Sequence, residues 1–430
     1  MSASLTRRAL LGGITAGLLP HLALPHLAHA QPQGAFAIRG ASFWRPGQAP
    51  LADAVIVVKD GKIAYAGDDA SQASGARTLT QPGGVVMAGM TDLITQVGLV
   101  EVDLEPSSRD DSHDADDPIR AAFRAADGFD HASSVVAITR AAGVTSVGVV
   151  PAGGLVAGQS AWADLGDQPK RAIARERLAL HVRMSDGSDF GAGSYEASSG
   201  AILLRLRELF DDARTYRKNK GGFDRRQVRE LGASRLDLEV IVDVLERRLP
   251  IVVHVDRASD IASVLRFLDE QKDGNQRLRA AIASGAEAWK VADALAEAEV
   301  AAIVYPLDHG PRSFEARYAR EDNAARLNTA GVRLALSTGE THNARKLAQE
   351  AGNAIRAGLP TPAAVAAVTS TPAAIMGMAE HGTLDEGRQA NLVVWSGDPF
   401  EISSKVELLV IHGRAVSLRT RQTALFERYR

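Results

Sequence analysis

The chain contains no cysteine. That excludes thiolate metal ligands, cysteine nucleophiles and disulfide staples, and it suits an oxidising compartment in which no disulfide is required. A surplus of one charge sign is missing too. Against 49 Lys and Arg stand 52 Asp and Glu, a formal net charge of −3. Near-balance without a basic block gives no electrostatic reason to expect nucleic acid or an anionic membrane as partner. Internal repeats and low-complexity tracts are absent as well. What is present is ordinary globular composition: 430 residues, 45% hydrophobic and 23% charged, enough for one large α/β domain and a smaller one.

Residues 1–30 are set apart. Arg7-Arg8 precede an apolar run from Ala9 to Leu24, broken by Pro20, and Leu27-Ala28-His29-Ala30 follows as an A-x-A-type cleavage site. This pattern predicts a secretory signal, with the twin arginine pointing to the export route for folded proteins and hence to the periplasm. The alternative, an uncleaved membrane anchor, is opposed by Pro20, His21 and Pro25. With the signal removed, no membrane contact is expected.

Short strand-like runs then appear at both ends of the remaining chain. Residues 35–39, 54–59 and 62–66, with an Asp60-Gly61 turn, are matched near the other end by residues 390–395, 406–411 and 415–418. Strands split between two termini predict one small composite β domain. Between them helical and apolar strand patterns alternate, which predicts a parallel β/α arrangement. Residues 85–99 read as its first strand and exit, 131–143 as a helix, 144–150 as a strand, and 178–184 as a short strand. Further on, 199–219 and 236–247 read as helices, 250–255 as a strand, 291–299 as a helix, 300–305 as a strand, 322–330 as a helix and 332–337 as a strand. The expected domains are 1–30 signal, 31–85 first β part, 86–380 barrel, and 381–430 second β part with a tail. The acidic stretch Asp110–Asp117, with His113 inside it, reads as a solvated loop, and His131 and His412 as surface residues.

Six stretches stand out in order along the chain. They are Ala88-Gly89-Met90-Thr91-Asp92-Leu93-Ile94-Thr95-Gln96, Gly158-Gln159-Ser160-Ala161, and Glu350-Ala351-Gly352-Asn353-Ala354. Thr371-Pro372-Ala373, Gly382-Thr383-Leu384-Asp385-Glu386-Gly387 and Ala390-Asn391-Leu392-Val393-Val394-Trp395 complete the series. Together they resemble the amidohydrolase superfamily, near its imidazolonepropionase-like and periplasmic dipeptidase-like members. The resemblance implies a (β/α)8 TIM-like barrel plus a small composite β-sandwich. It also implies hydrolysis of C–N bonds at a divalent metal held at strand ends, with paired histidines after the first strand and an aspartate base after the last.

Carried over residue by residue, that site is degenerate. Ile94 and Gln96 stand where the paired histidines are expected, Ser284 replaces the histidine after the sixth strand, and Gly339 replaces the aspartate. His254 alone matches a ligand position, after the fifth strand. Lys218 and Lys220 fall at a helix end, not on a strand. A catalytic zinc takes about three protein ligands, so ordinary metal-assisted hydrolysis is not expected and no cofactor is called for. A remodelled site for zinc or another divalent metal stays open, built from His254, Asp256, Glu340 and His342. Asp256 and Glu340 are the candidate acid–base groups, and Gln96, Glu101 and His342 the candidate ligand-binding groups, with Asp103 nearby. The bland reading pairs Asp256 with Arg257 or a neighbour, turns Glu340 to solvent and gives His342 a hydrogen bond in a loop. Ser284 and Ser337 lack an identifiable base, and Gly153-Gly154 with Gly158 lack the Lys-Ser/Thr of a phosphate loop. Two functions follow: a C–N hydrolase acting on a small molecule or peptide, or a non-catalytic binding, scaffold or regulatory subunit. Either forms a homo-oligomer or pairs with an intact amidohydrolase.

Overall fold

Gly89 separates two strands that the sequence runs together. In the computed structural model, which describes residues 35–113, 117–184, 198–225, 227 and 229–430, Val85–Ala88 and Met90–Thr95 belong to different sheets. The single strand expected over 85–99 is therefore corrected to two. The junction needs glycine: a Cβ at position 89 would lie 2.1 Å from Thr145 Oγ1. The reading of residues 1–30 lies outside the described residues.

Val85–Ala88 pairs with Leu392–Trp395 on one side and with Phe36–Trp44 on the other. This joins the two ends of the chain in one eight-stranded sheet, with Leu51–Lys59, Lys62–Gly67 and Arg77–Thr80 toward one side and Val406–Ile411 and Arg414–Ala415 toward the other. Phe36, Ile38, Ile56, Val86 and Leu392 form its buried core. The composite β domain is thus assembled as its split strands predicted.

Met90–Thr95 opens the barrel. Eight strands succeed one another: Met90–Thr95, Val144–Val149, Val156–Gln159 continuing as Ala161–Asp164, Leu180–Arg183, Ile251–Val255, Ala280–Ser284, Ala301–Val304 and Leu334–Leu336. They are called first to eighth below. Seven run parallel; the third runs antiparallel to both neighbours, with Ser146 opposite Asp164 and Leu180 opposite Gln159. It makes a short direct passage across the sheet, in a stretch where neither strand nor helix was predicted. The first and eighth strands meet through side chains: Ser337 Oγ and Thr338 Oγ1 donate to Asp92, and the Ile94 N–H donates to Ser337 Oγ at 3.1 Å.

Alternation along each strand sorts its residues by face. Val252, Ala281, Ala283, Ala301, Ile303 and Ala335 fill the barrel interior. Ile251, Val253, Ile282, Ala302, Leu334 and Leu336 face the surrounding helices. Each large aliphatic side chain so buried contributes about 1.5–3 kcal/mol. The helix Ser370–Met376 closes the floor with Ile375 and Met376, leaving the carboxyl ends of the parallel strands as the mouth, where β/α barrels build their sites.

Candidate functional site

Two histidines face each other inside the barrel. Leu180 and Val182 point outward, so His181 on the fourth strand points in, as His254 does on the fifth. Nδ1 of His181 lies 2.9 Å from Nε2 of His254, and Nε2 of His181 lies 2.8 Å from Ser160 Oγ. Both rings are buried. Burial, helped by the nearby Arg183, pushes His181 down to about 3; burial, Arg183 and His181 together push His254 well below the imidazole range. The pair is neutral at ordinary pH, one ring donating and the other accepting. His254 Nδ1 has no partner among the described residues. His181 was not singled out in the sequence, where it is one polar residue in an apolar strand.

The four positions at which the resemblance implies metal ligands or the base each hold a residue engaged in another contact. Ile94 is fully buried within the apolar barrel interior. Gln96 Nε2 donates to Asp111 Oδ2 at 2.7 Å, and Arg109 Nη2 donates to the same oxygen at 2.7 Å. Asp111 is completely buried, which corrects its reading as part of a solvated acidic loop. Ser284 Oγ donates to Asp256 Oδ1 at 2.5 Å, and the Ala286 N–H donates to that oxygen at 3.0 Å. Gly339 has φ +63, and a Cβ there would lie 2.6 Å from Tyr305 Cε2, so the tyrosine ring fills the space an aspartate would need. Among the described residues no three His, Asp or Glu side chains gather in a metal-holding group. One imidazole of the right position, already hydrogen-bonded to another, is not a donor set for the divalent metal the resemblance implies.

The candidate carboxyls divide between two places. Asp256 is raised by burial, against the Ser284 and Ala286 bonds, and lines a small cavity with Ser284, Tyr305, Asp308 and Arg312. That cavity, about 20 Å3, is sized for a single water molecule and not for a substrate. Arg257 bonds Asp260, with Nε–Oδ2 at 2.9 Å, so the expected Asp256–Arg257 pairing is corrected to Asp256–Ser284. Glu340 is raised by burial and by the charges of Asp308 and Asp103. Glu101 serves a helix instead: it accepts from Ser133 Oγ at 2.6 Å and Ser134 Oγ at 2.5 Å at the start of Ser134–Ala141. His342 holds the same loop, Nε2 lying 3.0 Å from the Glu101 carbonyl and Nδ1 3.1 Å from Asp103 Oδ2. The structure joins Glu101, Asp103 and His342 at one rim and Asp256 with Ser284 at another.

Two further buried carboxyls escaped the sequence. Asp92, at the seam of first and eighth strands, is raised to about 7 by burial despite its bonds to Ser337 and Thr338. Glu350 is raised to about 9 by burial while accepting the Leu307 N–H at 2.7 Å. Away from the mouth, Asp164 Oδ2 lies 3.1 Å from His381 Nε2 and 2.7 Å from His412 Nε2, so the surface reading of His412 is corrected to a buried pairing. His131 Nε2 lies 2.6 Å from the Gly166 carbonyl and is partly buried.

Comparison with known proteins agrees with this fold. No curated protein sequence matches the chain. An amidohydrolase from Thermotoga maritima MSB8 has 26% identity and a TM-score of 0.79, covering 89% of this chain and all of its own. An adenosine deaminase from Xanthomonas campestris with bound zinc, at 16% identity and TM-score 0.54 over 91% of this chain and 96% of its own, shares the fold. So does a prolidase solved with N-methylphosphonate-L-proline, at 14% identity and TM-score 0.54 over 89% of this chain and 100% of its own. The amidohydrolase family profile matches residues 76–417, and on that extent the chain belongs to the amidohydrolase family.

Proposed function

We propose that this amidohydrolase-family protein is non-catalytic, and that it serves as a scaffold or regulatory partner of an intact amidohydrolase. One observation carries the reading. Ile94, Gln96, Ser284 and Gly339 occupy the ligand and base positions, and each is tied into a contact that a metal site would have to break. Lost side chains alone could leave an empty pocket. Here Tyr305 and the Gln96–Asp111 bond fill it, and the adjoining cavity is too small for a peptide or nucleoside.

A second reading rests on the raised carboxyls of Asp256 and Glu340. Carboxyls raised in this way are better disposed to act as general acids without metal, which would serve C–N bond hydrolysis of a small molecule or peptide. Zinc or manganese at a remodelled His254–Asp256 site belongs to the same reading.

Assays with N-acyl amino acids and dipeptides, with and without added zinc or manganese, separate the two. No turnover above free metal is expected; turnover that Asp256→Asn or Glu340→Gln abolishes would support the hydrolase. Affinity purification from the native host tests the partnership. An intact amidohydrolase in fixed stoichiometry is expected, and a clean monomer contradicts it. The Arg7-Arg8 pair supports twin-arginine export to the periplasm; continued export of Arg7→Lys with Arg8→Lys would indicate the general secretory route.

A further inference from the structure

The end of the barrel opposite the mouth carries a second cavity. It has a volume of about 800 Å3 and opens beside the amino-terminal ends of the fifth and sixth strands. That is the size of a small-molecule site. Val252, Ala281 and Ile375 form its apolar floor, whereas Arg247, Lys272, Arg277, Arg279 and Arg333 line its wall against the carboxylates of Glu297 and Glu299.

Lys272 pairs with Asp269, but the four arginines are poorly neutralised. Arg277 donates to the carbonyl of Glu297 at 2.5 Å and Arg333 to that of Glu299 at 3.0 Å. Arg175, reaching in from the side, donates to the carbonyls of Met376 and Gly377 at 3.0 and 3.1 Å. Carbonyls are dipoles and leave the net charge in place. The guanidinium groups of Arg247 and Arg279 have no hydrogen-bond or ion-pair partner among the described residues. Several arginines elsewhere are paired with carboxylates, as in the fork of Arg207 on Glu270 at 2.7 and 2.8 Å. Crowding has a cost here: burial and the charges of Arg175, Arg247 and Arg333 pull Arg279 below the usual guanidinium range.

Gly377 makes room for the cluster. It ends the helix Ser370–Met376 at φ +70, and a Cβ there would lie 3.0 Å from Arg279 Nη2 and 3.8 Å from Arg175 Nη1. The carbonyls at that helix end account for Arg175. They do not account for Arg247, Arg279 and Arg333 facing one hollow.

We propose that this basal cavity binds a small molecule bearing two or more phosphate groups, gripped by Arg247, Arg279 and Arg333. Planar guanidinium forks match phosphate oxygens two at a time, and four arginines against two carboxylates, with Lys272 already paired to Asp269, call for a multiply charged anion.

Calorimetric titration and thermal melting with inorganic tripolyphosphate, at fixed ionic strength against chloride, test the proposal. Saturable binding with a raised melting temperature is expected. Arg279→Gln and Arg333→Gln should each weaken binding by about tenfold or more, while Arg207→Gln leaves it unchanged. Without tripolyphosphate, Arg279→Gln should melt at or above the wild-type temperature, because it relieves like-charge repulsion. A lower melting temperature would make Arg279 a structural group and overturn the proposal. Absence of saturable binding, or binding that survives both substitutions, overturns it too. Sedimentation with phosphatidylglycerol vesicles, lost in Arg279→Gln and unaccompanied by tripolyphosphate binding, would assign the cluster to a lipid surface and overturn it equally.

Discussion

Nδ1 of His181 and Nε2 of His254 lie 2.9 Å apart inside the barrel, and the hydrogen bond between them occupies one of the two ring nitrogens of His254. Ser160 Oγ, 2.8 Å from His181 Nε2, extends the contact into a buried chain. His181 falls from an ordinary 6.5 to about 3. Across that window the unfolded chain binds a proton that the folded chain refuses, so this contribution is complete above about pH 6.5 and is lost as pH falls toward 3. His181→Asn should flatten the acid limb of stability by up to about 1 kcal/mol per pH unit. Urea denaturation of both proteins across that range checks it.

Glu350 shows the opposite slope. Its carboxyl is held at about 9 against an ordinary 4.5, mainly by burial. Between those values the folded chain keeps a proton that the unfolded chain releases, so stability drops as pH rises. Glu350→Gln keeps an acceptor for the Leu307 N–H and removes the ionisable group. It should match wild type within about 1 kcal/mol near pH 5 and gain on it steadily toward pH 9. A constant gap between the two denaturation profiles would refute that.

Gly89→Ala tests the joint between β domain and barrel. The new methyl would meet Thr145 Oγ1 at 2.1 Å, and overpacking of this kind costs about 1–3 kcal/mol. Thr145→Ala in the same chain should recover much of the loss, because the two sites are in contact.

Asp164 accepts from Ser146 Oγ at 2.6 Å and Trp162 Nε1 at 3.0 Å, besides meeting His381 and His412. Those bonds hold it well below the carboxylate range despite burial. Asp164→Asn leaves donors facing a donor, and a loss of about 3–5 kcal/mol is expected in chemical denaturation. A change under about 1 kcal/mol would mean water replaces the carboxylate.

The elements of the fold were largely legible in the sequence. Val406–Ile411 matches its predicted strand residue for residue, and Ser199–Lys218 its predicted helix to within one. Periodicity carries such elements because each buries one face. It cannot report a break between two apolar strands, and the break at Gly89 is set by the close approach of Thr145. Nor does it report direction, and the antiparallel third strand over 156–164 was not predicted as a strand at all. The site was legible only as a set of vacated positions. What fills them is set by partners distant in sequence: Tyr305 for Gly339, and Asp111 for Gln96. His181 and His254 are 73 residues apart, and Asp164 and His412 are 248 apart. A polar residue amid apolar neighbours reads the same whether or not such a partner exists.

The metal content of the protein, purified from its native host without chelators, tests the central claim most directly. Elemental analysis should find zinc, manganese, iron, nickel and cobalt each far below one equivalent, with no change in His254→Ala. One equivalent of any of them, lost in His254→Ala, would contradict it.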